Sequence, residues 1–294
     1  MRLVAATPSP NAMPAASRAV LDRISEGFLR EAVGRVAVPR ASGTPGNAAV
    51  RHAVIDLLTA GHRGWPDIEV DGAGNVVAGD PRRATVLVGA HYDAVPGSPG
   101  ADDNASAVAV LLAAARALGP RECVCYVAFD GEECDLAGSE AFVARLGRNR
   151  LEQVHVLEMV GFTDKTPGAQ RSPVPAVQAP TIGDFLGLVG THGSRRVLDR
   201  VLACAGHSAV PVYGLYLPDL PLDAIRQAAP NVLRSDHAPF WAEGIPALMW
   251  TDTAEFRNPN YHRPTDTPDT LDFAFMAGVA EVLTLAVLSG LAAS

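Results

Sequence analysis

Cysteine is scarce: four residues in 294, at Cys123, Cys125, Cys134 and Cys204. That is too few for a fold held together by disulfides at this length. No pair has the C-x-x-C spacing of a structural zinc site. Cys123 and Cys125 stand two apart in a strand-like apolar run, so both side chains point to one face and read as small core residues. Positive charge is also short. Lys and Arg number 24 against 32 Asp and Glu, a net charge of −8, and Lys165 is the only lysine. Such a chain is not expected to bind nucleic acid or an anionic membrane, both of which call for a basic surface. No apolar run approaches the roughly 18 residues of a membrane-spanning helix. The N-terminal stretch is broken by prolines and lacks the apolar run of a secretory signal. The chain as it stands is therefore expected to be cytoplasmic, with secretion left open.

What remains is globular material. Hydrophobic residues make up 48% and charged residues 19%, which excludes a disordered or fibrous chain. The length suits one large domain or two small ones. Helical periodicity covers residues 17–28 and 47–60, where Val50, Val54, Leu57 and Leu58 recur at threes and fours and Gly61 offers a stop. Ile68-Glu69-Val70, a turn at Asp71-Gly72-Ala73-Gly74, and Asn75-Val76-Val77 read as a hairpin. Residues 85–90, 123–129, 154–159 and 245–250 are short, largely apolar runs, the pattern of strands buried on both faces. Helical patterns fall at 105–118, 139–146, 195–205 and 273–288. Residues 163–180, with four prolines, and the aromatic, proline-bearing stretch 213–222 read as loops. No repeat is present. Alternating strand and helix predicts an N-terminal tail at 1–16 and a single α/β domain at 17–294, a three-layer sandwich with a mixed, mainly parallel sheet between helices.

The chemistry-bearing residues collect just after the strands, where open α/β sheets bind ligands. The run ending at Ala90 continues into His91-Tyr92-Asp93, and a Gly/Pro loop then leads to Ala101-Asp102-Asp103-Asn104. Phe129 is followed by Asp130-Gly131-Glu132-Glu133. The run from Val154 ends in Glu158. Ser235-Asp236-His237 opens a helix, and Tyr261-His262 precedes Thr265-Asp266-Thr267. Singly each has an ordinary reading as a cap, a turn or a solvated face. Four strand ends carrying such groups at once point to a metal centre. Hydrolytic metals need neutral imidazoles and carboxylates with a position kept for water, and a pair of metals needs a carboxylate between them.

These motifs occur in one order, and with Arg40-Ala41-Ser42-Gly43-Thr44-Pro45-Gly46-Asn47 they resemble the co-catalytic dizinc aminopeptidases of metallopeptidase family twenty-eight. The resemblance runs from about Arg40 to the C-terminal helix. It implies the zinc-dependent exopeptidase fold and two zinc ions per chain. His91 and Glu158 would bind one, Glu133 and His262 the other, and Asp102 would bridge them. Glu132 would be the general base, taking a proton from water at the metals and passing it to the leaving amine. Asp93 would orient His91, while Asp236 and His237 would line the site. The bond between Asp102 and Asp103 would be cis. The substrate would be a peptide or small amide with a free N-terminal amine. Glutaminyl cyclases, aminoacyltransferases on the same fold that work with one zinc, share an Asp-His pair like Asp236-His237. A non-catalytic binding domain is a third reading, weakened because no ligand position is lost. Cys134 and Asp135 depart from the family's usual apolar residues, and Cys134 is expected to pack beside the cleft. Tyr213, Tyr216, Phe240, Trp241, Phe256 and Tyr261 are candidates either for an aromatic wall or for the core.

Overall fold

The structure, a computed structural model, describes residues 1–60, 65, 68–147 and 150–292. Its strands are β1 (Arg2–Ala5), β2 (Ile68–Val70), β3 (Val76–Ala78), β4 (Val86–His91), β5 (Val124–Phe129), β6 (Gln153–Glu158), β7 (Leu186–Gly190), β8 (Val212–Tyr216) and β9 (Ala247–Thr251). They form one sheet in the order β1-β8-β7-β9-β6-β4-β5-β3-β2. The centre, β9-β6-β4-β5, is parallel, as is β7-β8; the other four pairings are antiparallel. The sheet is thus mixed, with its parallel part confined mostly to the middle.

The helices are α1 (Ala15–Leu21), α2 (Glu26–Val36), α3 (Pro45–Ala60), α4 (Ala107–Leu118), α5 (Ala137–Leu146), α6 (Arg195–Ala205), α7 (Leu222–Ala228), α8 (His237–Ala242) and α9 (Phe273–Leu291). Successive strand residues face opposite sides, and both sides are covered. Val86, Val88 and Ala90 of β4 join the core under α2, α3, α4, α6 and α9. Leu87, with Val127 and Phe129 of β5, packs with Phe142 of α5 and Phe240 and Trp241 of α8. Burial on both faces is why the central strands read as continuous apolar runs. The same reason makes α4 apolar nearly all round, with only Arg116 outside its buried set. Helix α9 is long and apolar enough to span a membrane, the only such helix among the described residues. It carries one charge, Glu281, and is longer than the sequence reading gave. Here it packs against α2, α4 and α6.

Several expectations change. Residues 1–16 are not a free tail: Arg2–Ala5 pairs antiparallel with β8, with Leu3 opposite Leu215. The pattern at 17–28 is two helices. α1 ends at Leu21, and Ser25 caps α2 by accepting from the Phe28 amide at 3.3 Å. The stretch read as a loop from Tyr213 begins inside β8, and β7 had no signal strong enough to be seen. Residues 163–180 hold no helix or strand. The expected stop at Gly61 lies outside the described residues.

Candidate metal centre

The parallel strands β4, β5, β6 and β9 all deliver their carboxyl ends to one rim. His91 is the last residue of β4 and is fully buried. Glu158 ends β6, and Glu132 and Glu133 follow β5. Two groups of potential ligands form there: His91, Glu132 and Glu158, and Asp103, Glu133 and His262. Nε2 of His91 lies 3.4 Å from Asp103 Oδ1, 3.5 Å from Glu158 Oε2 and 3.9 Å from Glu132 Oε2. Nε2 of His262 lies 3.1 Å from Asp103 Oδ2 and 3.4 Å from Glu133 Oε2. Asp103 therefore stands between the two histidines with one oxygen toward each.

That position was expected of Asp102, and the structure gives it to the next residue. The chain enters through Gly100 at φ 58 and makes a six-residue π turn over Ala101–Ser106, interrupted by non-helical backbone at Asp103 and Asn104. Adjacent side chains in such a turn point in different directions. Asp102 turns away from the histidines, accepting from the Gly161 amide at 2.9 Å and from Asn258 Nδ2 at 2.7 Å. The cis bond is likewise one residue on, between Asp103 and Asn104. Asn104 fastens the turn to β6, donating to Leu157 O at 3.0 Å and accepting from the Met159 amide at 2.9 Å. Asp266 accepts from the amides of Asp102 and Asp103 at 2.9 and 3.1 Å.

The remaining site residues are held from behind. Asp93 lies 3.4 Å from His91 Nδ1. Its two oxygens also accept from the Glu132 and Glu133 amides, each at 3.2 Å. It thus ties the loop after β4 to the loop after β5. Ser235 donates to Glu158 Oε2 at 2.7 Å. The Tyr261 ring stacks on His262 at 3.8 Å, and its hydroxyl takes a hydrogen bond from Arg234, which also pairs with Glu255. Asp236 is fully buried and feels the charges of His91, Asp93 and Glu158. His237 is buried but turned elsewhere: Nε2 meets Val232 O at 2.8 Å and its ring sits edge-on to Trp241. It does not line the cluster. Cys134 is exposed rather than packed.

Arg40 was noted in the sequence only as part of a motif. It is a fully buried guanidinium that donates to the carbonyls of Tyr92, Val38, Pro99 and Gly100. It clamps the segment that follows β4 to the turn that carries Asp103. Nothing in the sequence marked Asp252 either, which is buried beside Asp102 and fixed by the Phe162 and Ala254 amides.

The electrostatics are those of ligands crowded together. Burial alone would lower the His91 pKa, but Glu132 and Glu158 outweigh it and hold the ring well above its usual range. Burial is outweighed in the same way at His262, which Asp103 and Glu133 raise to about 10. Burial pushes Asp103 up, yet His262 and His91 win and keep it ionised. Burial raises Glu132 well above the carboxylate range and lifts Asp236 to about 7. Nε2 of His91 and Oε1 of Glu133 are buried without a hydrogen-bond partner. Imidazoles and carboxylates that converge at 3.1–3.9 Å, with such atoms left over, fit divalent metal, and the nitrogen and oxygen donor set suits zinc.

Beside the cluster, an open cavity has Glu158 and Tyr261 in its wall. Of the six candidate aromatics, Tyr213, Phe256 and Tyr261 line it. Phe240 and Trp241 belong to the core, and Tyr216 bonds Asp199 at the other end of β8.

Comparison with known proteins agrees with this geometry. The sequence model described as Peptidase family M28 matches residues 74–180 and 220–287. YfbL of Escherichia coli, itself described as uncharacterized, is 37% identical over 233 residues, which is 72% of this chain and 69% of YfbL. Aminopeptidase YwaD of Bacillus subtilis is 43% identical over 212 residues, or 69% of this chain, but the chain spans only 40% of that relative. Among solved structures, LapA of Legionella pneumophila superposes with a TM-score of 0.73 at 18% identity, covering 95% of this chain and 77% of LapA. Glutaminyl cyclase of Porphyromonas gingivalis superposes with a TM-score of 0.62 at 20% identity, covering 93% and 100%; at these identities both likenesses speak to the fold. The chain belongs to peptidase family M28.

Proposed function

We propose that this chain removes the N-terminal residue of peptides or small amides with the help of two zinc ions. The metallo-aminopeptidase class follows from membership of the family and from relatives named as aminopeptidases. The observation that supports two ions is Asp103, whose two carboxylate oxygens face different histidines, each backed by a further carboxylate. His91 and Glu158 would hold one ion, Glu133 and His262 the other, and Asp103 would join them. Zinc bound there supplies polarisation of the scissile carbonyl and a water that ionises near neutral pH.

The protein's own residues do the rest. Asp93 keeps the His91 ring oriented, so that Nε2 faces the cluster. Glu132 stands farther from His91 Nε2, at 3.9 Å, than Asp103 at 3.4 Å and Glu158 at 3.5 Å, which suits a group that moves protons rather than holding metal. It would take the proton of the attacking water and deliver it to the departing amine. Arg40 and Asp266, both fully buried, hold the loops in register. A free N-terminal amine would find several carboxylates at the rim, and an acylated one would lose that attraction. The test is a pair of leucyl peptides, one free and one N-acetylated, with zinc-loaded protein. Cleavage of the free peptide alone is expected. Equal cleavage of both, or cleavage in the middle of a longer peptide, overturns the exopeptidase reading.

A further inference from the structure

We infer that the cavity beside the cluster is a channel for an extended apolar side chain on the first residue of the substrate, longer than leucine. The inference rests on the aminopeptidase reading. Its basis is the sheet register. Val156, Met249, Val189, Leu215 and Leu3 are register partners across β6, β9, β7, β8 and β1, so their side chains share one face. Glu158, Thr251, Gly187 and Tyr213 form the parallel row two residues further along. From these rows all but Val156 line the cavity. The floor therefore starts at a candidate metal ligand and runs sideways under four strand spacings, on the order of 19 Å, to the N-terminal strand.

Gly187 is what keeps this floor open. It sits in the row beside Thr251, and a Cβ there would come within 3.2 Å of Thr251 O and 3.7 Å of its methyl group. Val174, Val177 and Phe256 add apolar surface to the channel's lining. Arg234 and Glu255 also reach it but are spent on each other, so no unpaired cation or anion beyond Glu158 is offered to a charged side chain among the described lining residues. The far half of the channel is built by β1, β7 and β8. These strands lie outside the stretches matched by the family model, residues 74–180 and 220–287.

A side chain entering beside Glu158 gains by burying each further methylene until it meets a wall. Apolar burial raises binding by about four-fold per methylene. The experiment uses zinc-loaded protein and p-nitroanilides of alanine, norvaline, norleucine, 2-aminooctanoic and 2-aminodecanoic acid. A parallel calorimetric series measures binding of the same free amino acids. kcat/KM and affinity should both rise through 2-aminodecanoic acid, and the lysyl anilide should fall well below norleucyl. A maximum at norvaline or norleucine in both series overturns the channel. If no anilide is cleaved but affinity climbs with chain length, the aminopeptidase reading fails and the channel stands. Gly187→Val should lower the ratio of 2-aminooctanoyl to norvalyl kcat/KM at least about ten-fold, with Gly187→Ala, the less crowded change, intermediate. An unchanged ratio in a folded Gly187→Ala protein, together with an unchanged one in Gly187→Val, refutes the placement.

Discussion

Replacing Asp103 by Asn and, separately, Asp102 by Asn asks which of two adjacent carboxylates holds metal. Asp103 lies 3.4 Å and 3.1 Å from the two histidine Nε2 atoms, and those histidines keep it ionised against its burial. Its amide would remove the one negative charge shared by both halves of the cluster. Loss of a partner one shell out from a metal typically costs 10–100-fold in affinity, so loss of a shared ligand should cost more than about 100-fold for at least one ion. Asp102 behaves otherwise. Burial, reinforced by the charge of Asp252, raises its pKa well above the carboxylate range, so an uncharged Asn is an acceptable replacement there. Its oxygens serve Gly161 and Asn258, and turning an NH₂ toward one of them loses about one hydrogen bond, roughly 0.5–1.5 kcal/mol. Zinc content by mass spectrometry and affinity by chelator competition should therefore collapse in Asp103→Asn. In Asp102→Asn they should change by no more than about ten-fold, while Tm drops by a few degrees. Two zinc ions held with native affinity in Asp103→Asn, with loss in Asp102→Asn, would refute the assignment and restore the residue first expected from the sequence.

Three further outcomes are expected. Glu132→Gln should retain zinc yet lower kcat by about 10²–10⁴ with little change in KM, whereas Glu133→Gln should shed one ion and respond to added zinc; the reverse pattern exchanges their roles. In metal-free protein His262 is raised to about 10 from 6.5. A raised pKa contributes stability that is complete below 6.5 and is lost as pH climbs through about 10. Zinc uptake at pH 8 should accordingly release at least about one proton per chain, readable by calorimetry in buffers of different ionisation enthalpy, and zero release contradicts the assignment of His262. Arg40→Met should leave four carbonyls without their donor and destabilise by more than about 3 kcal/mol. Arg40→Lys should rescue little of that, because an ammonium cannot reproduce the planar fork; full denaturant stability in either variant would show that the clamp is ornamental.

The centre of the molecule was legible because its physics is local. β4, β5 and β9 are apolar runs that lead straight into polar residues, β6 ends in Glu158, and α6 spans 195–205 as its periodicity indicated. His91, Glu132, Glu133, Glu158 and His262 were all marked for the rim, and all lie there. The edges were harder. β1 is four residues long and owes its existence to pairing with β8, a long-range term that no local pattern carries. β7, with glycine at 187 and 190, and β8, with glycine at 214, lack the apolar continuity of the central strands. The one-residue error at Asp102 has a different source. Ala101-Asp102-Asp103-Asn104 contains two equivalent carboxylates, and only the π turn over Ala101–Ser106 decides which faces the histidines. His237 looked like a site residue by type, but its partners are a carbonyl and an indole in the core.

The central claim is a two-ion centre that cleaves next to a free amine. The direct measurement strips the protein with a chelator and returns zinc in steps. At each step the bound zinc per chain is recorded alongside hydrolysis of leucyl-p-nitroanilide and cyclisation of an N-terminal glutaminyl peptide. The account predicts that uptake continues to two ions per chain, that leucyl hydrolysis becomes full only as the second ion binds, and that no cyclisation occurs. Saturation at one ion, with cyclisation and without hydrolysis, would contradict it.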